Sequence, residues 1–479
     1  MRRRDFFVVA AGTAWGLGLE SFRHSRVPQL LAAEKADITL RIAPVSVELA
    51  PGHTVKTTGY NGSAPGPVLR MREGKEITVE VVNETAIPEL VHWHGQFVPP
   101  EVDGSAEEGT PFVPAHGRQR YTFTPQPAGT RWYHTHIPAE RDLERGTYTG
   151  QFGFVYVEPQ NDPGNYDQEV FLALHEWEPF FTSEEEEEEE EGCRLPDEPR
   201  IEPAAYHPSV PEKQNGLEVG YKQFSINDRA LGHGEPIRVR LGERVLFHLL
   251  NASATEIRKV ALPGHKFTVV TMDGNPAPTT VTVEALQLGP GERIDAIVEM
   301  NQPGVWIFGV THDDDRKAGM STVVEYARQH GPPKWVTPPK FRWDYTLFGK
   351  EENVPEPDAR FELVFRKIPG GKGGYNRWTI NGKSYPHTDL ILVHAGRRYR
   401  LGFSNQSDDA HPVHLHRHSV ELVTVEGRKT SGILKDTVVV RPNSRIEVDL
   451  VANHPGTSLF HCHQQLHMDF GFMALLKYA

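Results

Sequence analysis

Four His-X-His pairs are the part of the sequence best suited to chemistry. In chain order they are His92-Trp93-His94, His134-Thr135-His136, His414-Leu415-His416 and His461-Cys462-His463. Side chains at positions i and i+2 of a β-strand leave the same face, so each pair would present two imidazoles side by side. Imidazole nitrogen is a common ligand of transition metals. The eight histidines therefore predict a metal site with imidazole ligands only.

The residue inside the fourth pair predicts a second metal site. Cys462 must point away from His461 and His463, because successive strand residues face opposite sides. Two further histidines, His411 and His467, lie just before the third pair and just after the fourth. One thiolate with two imidazoles is the donor set of blue copper sites. One strand would thus carry a metal site on each face.

Zinc is the rival metal for these residues. Structural zinc sites take most of their ligands from cysteines at Cys-x2-4-Cys spacing. This chain has only two cysteines, Cys193 and Cys462, and they lie far apart. The composition therefore favours copper over zinc.

An internal threefold repeat positions the pairs. Strand-like runs end at Asn83, Asn251 and Asn405. Histidines follow at offsets +9 and +11 from the first and third asparagines, whereas Val260 and Leu262 occupy these offsets in the middle copy. One unit is therefore used three times, and its middle copy lacks the first pair of ligands.

A second element repeats in the same way. It contains Gly129, Gly304 or Gly456, followed by a run rich in aromatic and apolar residues. Histidines lie at +5 and +7 from the first and third glycines, but the middle copy has Gly309 and Thr311 there. The middle copy is therefore predicted to bind no metal.

The elements that carry the pairs are predicted to be strands. Runs of alternating character, such as Glu76 to Val81 and Arg445 to Leu450, have the period of a β-strand. The 43 glycines and 38 prolines interrupt the chain too often for long helices. Each repeat is long enough to bury a core of its own. We predict an all-β chain of three Greek-key β-sandwich or barrel domains.

These motifs resemble those of the three-domain, laccase-like multicopper oxidases. The likeness extends from about Asp37 to the C-terminus and includes Gly95, which follows the first pair, and Trp132, which precedes the second. It implies three cupredoxin domains, with one copper in the third and a three-copper cluster between the first and third. The expected segments are a signal peptide over residues 1–36 and domains over residues 37–160, 161–330 and 331–479.

The resemblance also implies four coppers per chain and a role for each ligand. The ligands would be Cys462, His411 and His467 for the type 1 copper; His92 and His414 for the type 2 copper; and His94, His134, His136, His416, His461 and His463 for the two type 3 coppers. The repeat agrees with this assignment, because His92 and His414 are equivalent in it, as are His94 and His416. A pseudo-twofold cluster is expected.

Four further positions bear on reactivity. Relatives with an axial methionine carry it ten residues after the cysteine, where this chain has Phe472. A phenyl ring cannot donate to copper, so the reduction potential should be high. Met473 would face the other side of its strand. Asp103 matches the acid that the family places beside the type 2 copper and is expected to supply protons, whereas a second acid found in some relatives is replaced by Met468.

The resemblance implies an enzyme that couples one-electron oxidation of a small aromatic substrate, a phenol or an amine, to four-electron reduction of dioxygen to water. Electrons would pass from Cys462 to His461 or His463. One alternative is an oxidase of Cu(I) or Fe(II), although only seven methionines are available as soft ligands. Another is a copper-binding or resistance protein without turnover, against which the complete ligand sets weigh.

The N-terminus predicts export. Arg2-Arg3-Arg4-Asp5-Phe6-Phe7 precedes an apolar run from Val8 to Leu19 and then Ala32-Ala33. This pattern is typical of a signal for the twin-arginine export machinery, and the run is too short to span a membrane. We therefore expect a periplasmic or extracellular protein.

Charge excludes some partners. The net charge is −13 at pH 7, whereas nucleic-acid binding needs a basic surface. The sequence has no second apolar stretch, so we expect no stable insertion in a membrane. Eight consecutive glutamates, Glu184 to Glu191, repel one another and predict a solvated acidic loop in the second domain, close to the unpaired Cys193.

Overall fold

The regular structure of the described residues is almost entirely β-strand. The computed structural model describes residues 35–160, 165–183 and 216–479. Several predicted features lie outside these residues, namely the twin-arginine signal, the eight glutamates and Cys193. Within the described ranges, no helix has the length and apolar character that a bilayer crossing requires.

Two four-stranded sheets form the N-terminal part, with orders β2-β1-β4-β6 and β3-β8-β7-β5. The strands are β1 (Ile38–Ala50), β2 (His53–Tyr60), β3 (Leu69–Arg72), β4 (Ile77–Asn83), β5 (Val91–His94), β6 (Arg118–Phe123), β7 (Gly129–Thr135) and β8 (Phe152–Glu158). Leu40, Val79, Trp93 and Tyr133 belong to one buried apolar cluster, so the two sheets share a core.

Two sheets follow in the middle part, with orders β10-β9-β12-β17-β14-β15 and β11-β19-β18-β13-β16. The strands are β9 (Gln168–Ser183), β10 (Leu217–Ile226), β11 (Ile237–Val239), β12 (Arg244–Asn251), β13 (Arg258–Ala261), β14 (Phe267–Met272), β15 (Asn275–Val283), β16 (Leu286–Leu288), β17 (Arg293–Glu299), β18 (Val305–Val310) and β19 (Ser321–Tyr326). Phe247 and Phe308 stack between them, with ring centroids 5.8 Å apart.

The C-terminal part has a sheet of order β21-β20-β23-β29-β25-β26, in which β27 also pairs with β25, and a second of order β22-β31-β30-β24-β28. The strands are β20 (Ala359–Ile368), β21 (Arg377–Ile380), β22 (Ile391–Val393), β23 (Arg398–Asn405), β24 (His411–Leu415), β25 (Val420–Val425), β26 (Arg428–Lys429), β27 (Leu434–Lys435), β28 (Thr437–Val440), β29 (Arg445–Val451), β30 (Thr457–Cys462) and β31 (Met473–Tyr478).

Helices in the described residues are short. The α-helices are α1 (Pro100–Asp103), α2 (Asp313–Lys317) and α3 (Gln465–Asp469). Turns of 3₁₀-helix span Ala106–Glu108, Gly146–Tyr148, Tyr345–Phe348 and Lys372–Gly374. Two of these elements, α1 and α3, follow strands that carry predicted ligands.

The same topology occurs three times. The parallel pair β1/β4 corresponds to β9/β12 and β20/β23. The run β3-β8-β7-β5 corresponds to β11-β19-β18-β13 and to β22-β31-β30-β24. The predicted all-β class is thus confirmed. The sheets form open pairs, since none of the six described sheets closes into a barrel. The residue boundaries of the three domains stay predictions.

The repeated asparagines have one structural role. Asn83, Asn251 and Asn405 are buried last residues of β4, β12 and β23. The Nδ2 atom of Asn405 donates to the carbonyl oxygens of Asp409 and Val440 at 2.6 and 3.2 Å, and the other two asparagines make similar bonds. Each side chain therefore bonds one carbonyl oxygen in the connection to the next strand and one in a more distant segment, and so ties the two together.

Candidate metal centres

Strands β5 and β7 bring the first two histidine pairs to one face of their sheet. His92 lies directly opposite His134 in the antiparallel ladder. Trp93 points to the other face, where its ring lies 5.1 Å from that of Phe123 in the core. His136 is the residue after the end of β7, so the alternation of strand side chains continues one position beyond the strand.

Strands β24 and β30 repeat this arrangement. His414 lies opposite His461, and Val413 lies opposite Cys462. His416 and His463 each follow the last residue of their strand. Because the two ladders have the same register of histidines, the first and third repeats contribute equal halves to one site.

All eight paired histidines meet in a buried cluster. The Nε2 atoms of His92 and His414 are 3.4 Å apart, and those of His416 and His461 are 3.1 Å apart. The side chains form three groups whose donor atoms could each surround one ion: His92, His94 and His414; His94, His134 and His463; His136, His416 and His461. The two predicted type 2 ligands, His92 and His414, lie together in one group, which also contains His94, a predicted type 3 ligand.

Backbone carbonyl oxygens orient four of these rings. At 2.8 Å, Nδ1 of His92 faces the oxygen of Asp103, Nδ1 of His134 that of Thr135, Nδ1 of His414 that of Asp436, and Nδ1 of His461 that of Cys462. A carbonyl oxygen only accepts, so each Nδ1 carries the hydrogen and donates it. The Nε2 atom of each ring is therefore left with a lone pair that points into the cluster.

Other ring nitrogens in the cluster have no partner within the protein. They are Nδ1 of His94, Nε2 of His134, Nε2 of His136 and both nitrogens of His463. Burial and neighbouring imidazoles lower the pKa of His94 and His136 well below the ordinary value, so these rings are neutral. An unpaired buried nitrogen costs about 1–3 kcal/mol, whereas a neutral imidazole is the form that binds metal. The cluster therefore fits transition-metal ions.

The predicted sulfur site also assembles. The Sγ atom of Cys462 lies 3.7 Å from Nδ1 of His411 and 3.5 Å from Nδ1 of His467, and these two nitrogens are 3.1 Å apart. An ion at the centre of this triangle would lie about 2 Å from each donor, close to the length of a metal–nitrogen bond. The donor set and its spacing fit copper.

The surroundings of this site are apolar. Burial raises the pKa of the Cys462 thiol, and burial with the nearby Lys367 lowers the pKa of His411 to about 3. The indole of Trp378 lies against His467, with ring centroids 3.9 Å apart. In such a pocket a thiolate forms only when a cation compensates its charge.

Phe472, the residue predicted at the axial position, lies beside a ring of the sulfur site. Its ring is fully buried and lies 4.8 Å from the ring of His411. Met473 instead packs with Leu459, which shares a face of β30 with His461 rather than with Cys462. The alternation predicted for these two neighbours is therefore present in the structure.

Asp103 lies between the two halves of the histidine cluster. Its Oδ2 atom is 2.7 Å from Nδ1 of His416 and 3.2 Å from Nδ1 of His92. Burial alone would raise the pKa of Asp103, but the two imidazoles lower it below the ordinary value. Gly104 permits this position, since its φ is +99° and a Cβ would lie 2.0 Å from the carbonyl oxygen of Val91.

Sequence reasoning missed Glu108. This buried carboxyl lies 3.3 Å from Nδ1 of His416, and it accepts a hydrogen bond of 2.5 Å from the backbone N–H of Leu459. Burial and the charge of Asp103 raise its pKa well above the ordinary value. Glu107-Glu108 resembles an exposed acidic turn in the sequence, and no spacing rule distinguished the buried member.

Asp436 was missed as well. Its Oδ1 atom accepts from Nε2 of His94 at 3.0 Å, and its backbone oxygen accepts from His414. Asp103 does the same in the other half, since it contacts His416 through its carboxylate and His92 through its backbone oxygen. The pseudo-twofold symmetry of the ligands therefore extends to the residues that orient them.

Comparison with known proteins agrees with this geometry. Residues 41–162, 197–330 and 366–479 each match a family model described as multicopper oxidase, and together they cover most of the chain. The chain belongs to the multicopper oxidase family. It is therefore a copper-dependent oxidoreductase with dioxygen as acceptor.

Individual relatives agree over most of their length. Multicopper oxidase MmcO of Mycobacterium tuberculosis is 29% identical over 454 residues, which cover 92% of this chain and 86% of MmcO. The multi-copper oxidase of Pseudomonas thermotolerans has a TM-score of 0.68 at 26% identity and covers 93% of this chain and 100% of its own. Botrytis aclada laccase has a TM-score of 0.69 at 18% identity, covering 92% and 87%. The cupredoxin-like fold is thereby confirmed.

Proposed function

We propose that the protein is a laccase-like oxidase with four coppers, which oxidises phenols or aromatic amines by single electrons and reduces dioxygen to water. Cys462, His411 and His467 would hold the type 1 copper. The histidine cluster would hold the other three coppers. One observation carries the proposal: Cys462 belongs to the sulfur site while its two chain neighbours belong to the histidine cluster.

Residues of the chain would connect the two sites. When bound, copper would supply the one-electron chemistry and the reduction of dioxygen. Cys462 is bonded through the backbone to His461 and His463, which gives a covalent path on the order of 10 Å between the sites. Separation of the two sites keeps dioxygen away from the reducing substrate.

We propose that Asp103 supplies protons at the cluster. Its Oδ2 atom lies within hydrogen-bond distance of a ligand from each half, at 2.7 Å from His416 and 3.2 Å from His92. A buried carboxylate at that point can pass a proton from one side of the cluster to the other. Reduction of dioxygen to water consumes protons, so this step would limit reoxidation.

An oxidase of Cu(I) is the second candidate. Met468 follows the ligand His467 directly and packs in a buried cluster with Met473. The thioether of Met468, which follows a ligand of the sulfur site in the chain, is a soft donor of the kind that Cu(I) prefers. Oxidation of the metal ion would then replace oxidation of an aromatic substrate.

Oxygen uptake separates these functions. Fully copper-loaded protein should consume dioxygen with a phenol such as 2,6-dimethoxyphenol, because the aromatic substrate supplies the electrons. The measurement uses an oxygen electrode, with Cu(I) and Fe(II) as the other two donors and copper-free protein as the control. Uptake with Cu(I) or Fe(II) but with no phenol or amine would reject the laccase-like assignment, and no uptake with any donor would reject turnover altogether.

Replacement of Phe472 by Met should lower the type 1 reduction potential. Compared with a phenyl ring that donates nothing, an added fourth donor stabilises the more highly charged Cu(II) more than Cu(I), and about 1.4 kcal/mol of such stabilisation corresponds to about 59 mV for one electron. Redox titration of the blue absorption band measures the shift, and Phe365→Met is a matched control, since Phe365 packs against Phe472 at 4.7 Å. An unchanged potential in Phe472→Met would contradict the axial position.

We also propose that the twin-arginine machinery exports the protein to the periplasm or the cell exterior. The support is the Arg2-Arg3-Arg4-Asp5-Phe6-Phe7 motif, followed by the apolar run from Val8 to Leu19. This route carries folded proteins, which suits an enzyme that must hold several metal ions.

A further inference from the structure

We infer that Arg293, which belongs to the middle repeat, the copy without predicted ligands, positions two candidate ligands of the histidine cluster through Asp436. The inference rests on the proposed function, because it concerns the site at which that function places three coppers. The middle repeat would then contribute to the metal centre without providing a ligand.

Arg293 is held firmly against Asp436. It is the first residue of β17 and is fully buried. Its Nη1 donates to Oδ1 of Asp436 at 2.8 Å, and its Nη2 donates to Oδ2 at 2.5 Å. Two parallel bonds from a planar guanidinium fix both the position and the plane of a carboxylate. Rotation of the Asp436 side chain would break at least one of them.

Asp436 passes this restraint to the ligands. Its Oδ1 atom accepts from Nε2 of His94 at 3.0 Å, so the opposite nitrogen of that ring, Nδ1, faces the cluster without a protein partner. Its backbone oxygen accepts from Nδ1 of His414 at 2.8 Å. One aspartate thus orients a ring from the first repeat and a ring from the third.

The arginine distinguishes Asp436 from its pseudo-twofold counterpart, Asp103. Asp103 has the carboxyl group of Glu108 beside it, and both lie near His416. Asp436 instead has Arg293 in contact and Arg131 at 3.6 Å. Among the described residues of the middle repeat, a guanidinium group therefore restrains Asp436 but not Asp103.

A buried network holds Arg293 itself in place. The Oδ1 atom of Asp273 accepts from the backbone N–H of Arg293 at 3.0 Å, and its Oδ2 atom accepts from the backbone N–H of Thr437 at 3.1 Å. Lys435 donates to Asp273 and Glu292, each at 2.9 Å. The network joins the middle and third repeats beside the cluster, and Nη1 of Arg293 also donates to the carbonyl oxygen of Gly291 at 2.8 Å, so the guanidinium has contacts besides Asp436.

The close approach needs two glycines. A Cβ on Gly95 would lie 2.7 Å from Oδ2 of Asp436 and 2.8 Å from Nη2 of Arg293. A Cβ on Gly291 would lie 2.8 Å from the ring of His463. Both have positive φ, at +81° and +85°, which glycine adopts without strain. The chain therefore leaves space for the middle repeat to reach the cluster.

The test compares Arg293→Met with Arg258→Met. Arg258 is a matched control, because like Arg293 it is buried in the middle repeat and forms ion pairs with carboxylates, here with Glu176 at 2.7 Å and with Asp315. We expect Arg293→Met to keep the type 1 copper and its blue colour, but to bind the cluster coppers about 10–100-fold more weakly, as is typical when a residue behind a ligand is lost. Chelator competition followed by metal analysis measures the affinity.

A second measurement excludes a merely structural role. Electron paramagnetic resonance resolves the type 1 and type 2 signals, and Arg293→Met should alter only the type 2 signal. Arg258→Met should leave both signals unchanged even if it lowers the thermal unfolding temperature. If Arg293→Met binds all coppers as tightly as wild type with an unchanged type 2 signal, the inference is wrong.

Arg293→Lys keeps the test decisive if the methionine variant does not fold. Lysine retains the charge but loses the two-pronged contact. We therefore expect the variant to bind the cluster coppers more weakly than wild type, by a factor of up to about 100. If this variant binds the cluster coppers with wild-type affinity, the two parallel bonds from Arg293 to Asp436 do not have the inferred role. A wild-type protein that binds fewer than four coppers would instead refute the proposed function, so the two failures are distinguishable.

Discussion

Cys462→Ser is expected to abolish the blue colour and to lower turnover of the reducing substrate by more than about 100-fold, since even partners behind a ligand are worth 10–100-fold. A serine hydroxyl is a hard donor that stays protonated, whereas the site needs a soft thiolate. The substitution is nearly isosteric at a fully buried position, so the fold should persist.

Metal analysis and paramagnetic resonance check this result. The variant should lose the type 1 copper and retain the three coppers of the cluster, because His461 and His463 keep their places in and after β30. Cys193→Ser is the matched control and should leave colour, copper content and turnover as in wild type. A blue, fully active Cys462→Ser protein would disprove the sulfur site.

Asp103→Asn should slow reoxidation of the reduced enzyme by dioxygen by about 10²–10⁴-fold, the usual contribution of a positioned acid. Asparagine keeps an oxygen that can accept from His416, so ligand geometry should change little. The blue colour and the rate of anaerobic reduction by substrate should be preserved. Stopped-flow mixing of reduced protein with oxygenated buffer measures the step.

Glu101→Gln provides the comparison for this experiment. Glu101 is on the same short helix, α1, but its side chain is exposed. It should reoxidise at the wild-type rate. Copper analysis of Asp103→Asn must first show a full cluster, and an unaltered rate in that loaded protein would remove Asp103 from proton supply.

Much of the fold and of the ligand set follows from local rules of sequence. The period of two in a strand predicted that the side chain of Cys462 leaves the other face of the strand from those of His461 and His463. In the structure Cys462 and the two histidines belong to two separate sites. The threefold repeat was visible in Asn83 and Asn405, whose side chains make the same bonds in the structure. Such patterns are readable because each depends on neighbours only a few residues away.

The residues behind the ligands could not be read in this way. Glu108 and Arg293 are charged side chains that sequence alone places on a surface, since buried charges are rare without partners. Their partners are distant along the chain: Leu459 is 351 residues from Glu108, and Asp436 is 143 residues from Arg293. No local period links such positions.

The sequence by itself determined the strand class, the repeat, the candidate ligands and which of them share a face, because side-chain alternation is a property of a single strand. The resemblance implied that the two halves meet, but only the tertiary structure shows it, with His92 and His414 brought to 3.4 Å across 322 residues. Only the tertiary structure reveals that the middle repeat, which has none of the predicted ligands, supplies Arg293. The physical reason is that packing between repeats depends on shape and charge over whole surfaces, which chain spacing does not encode.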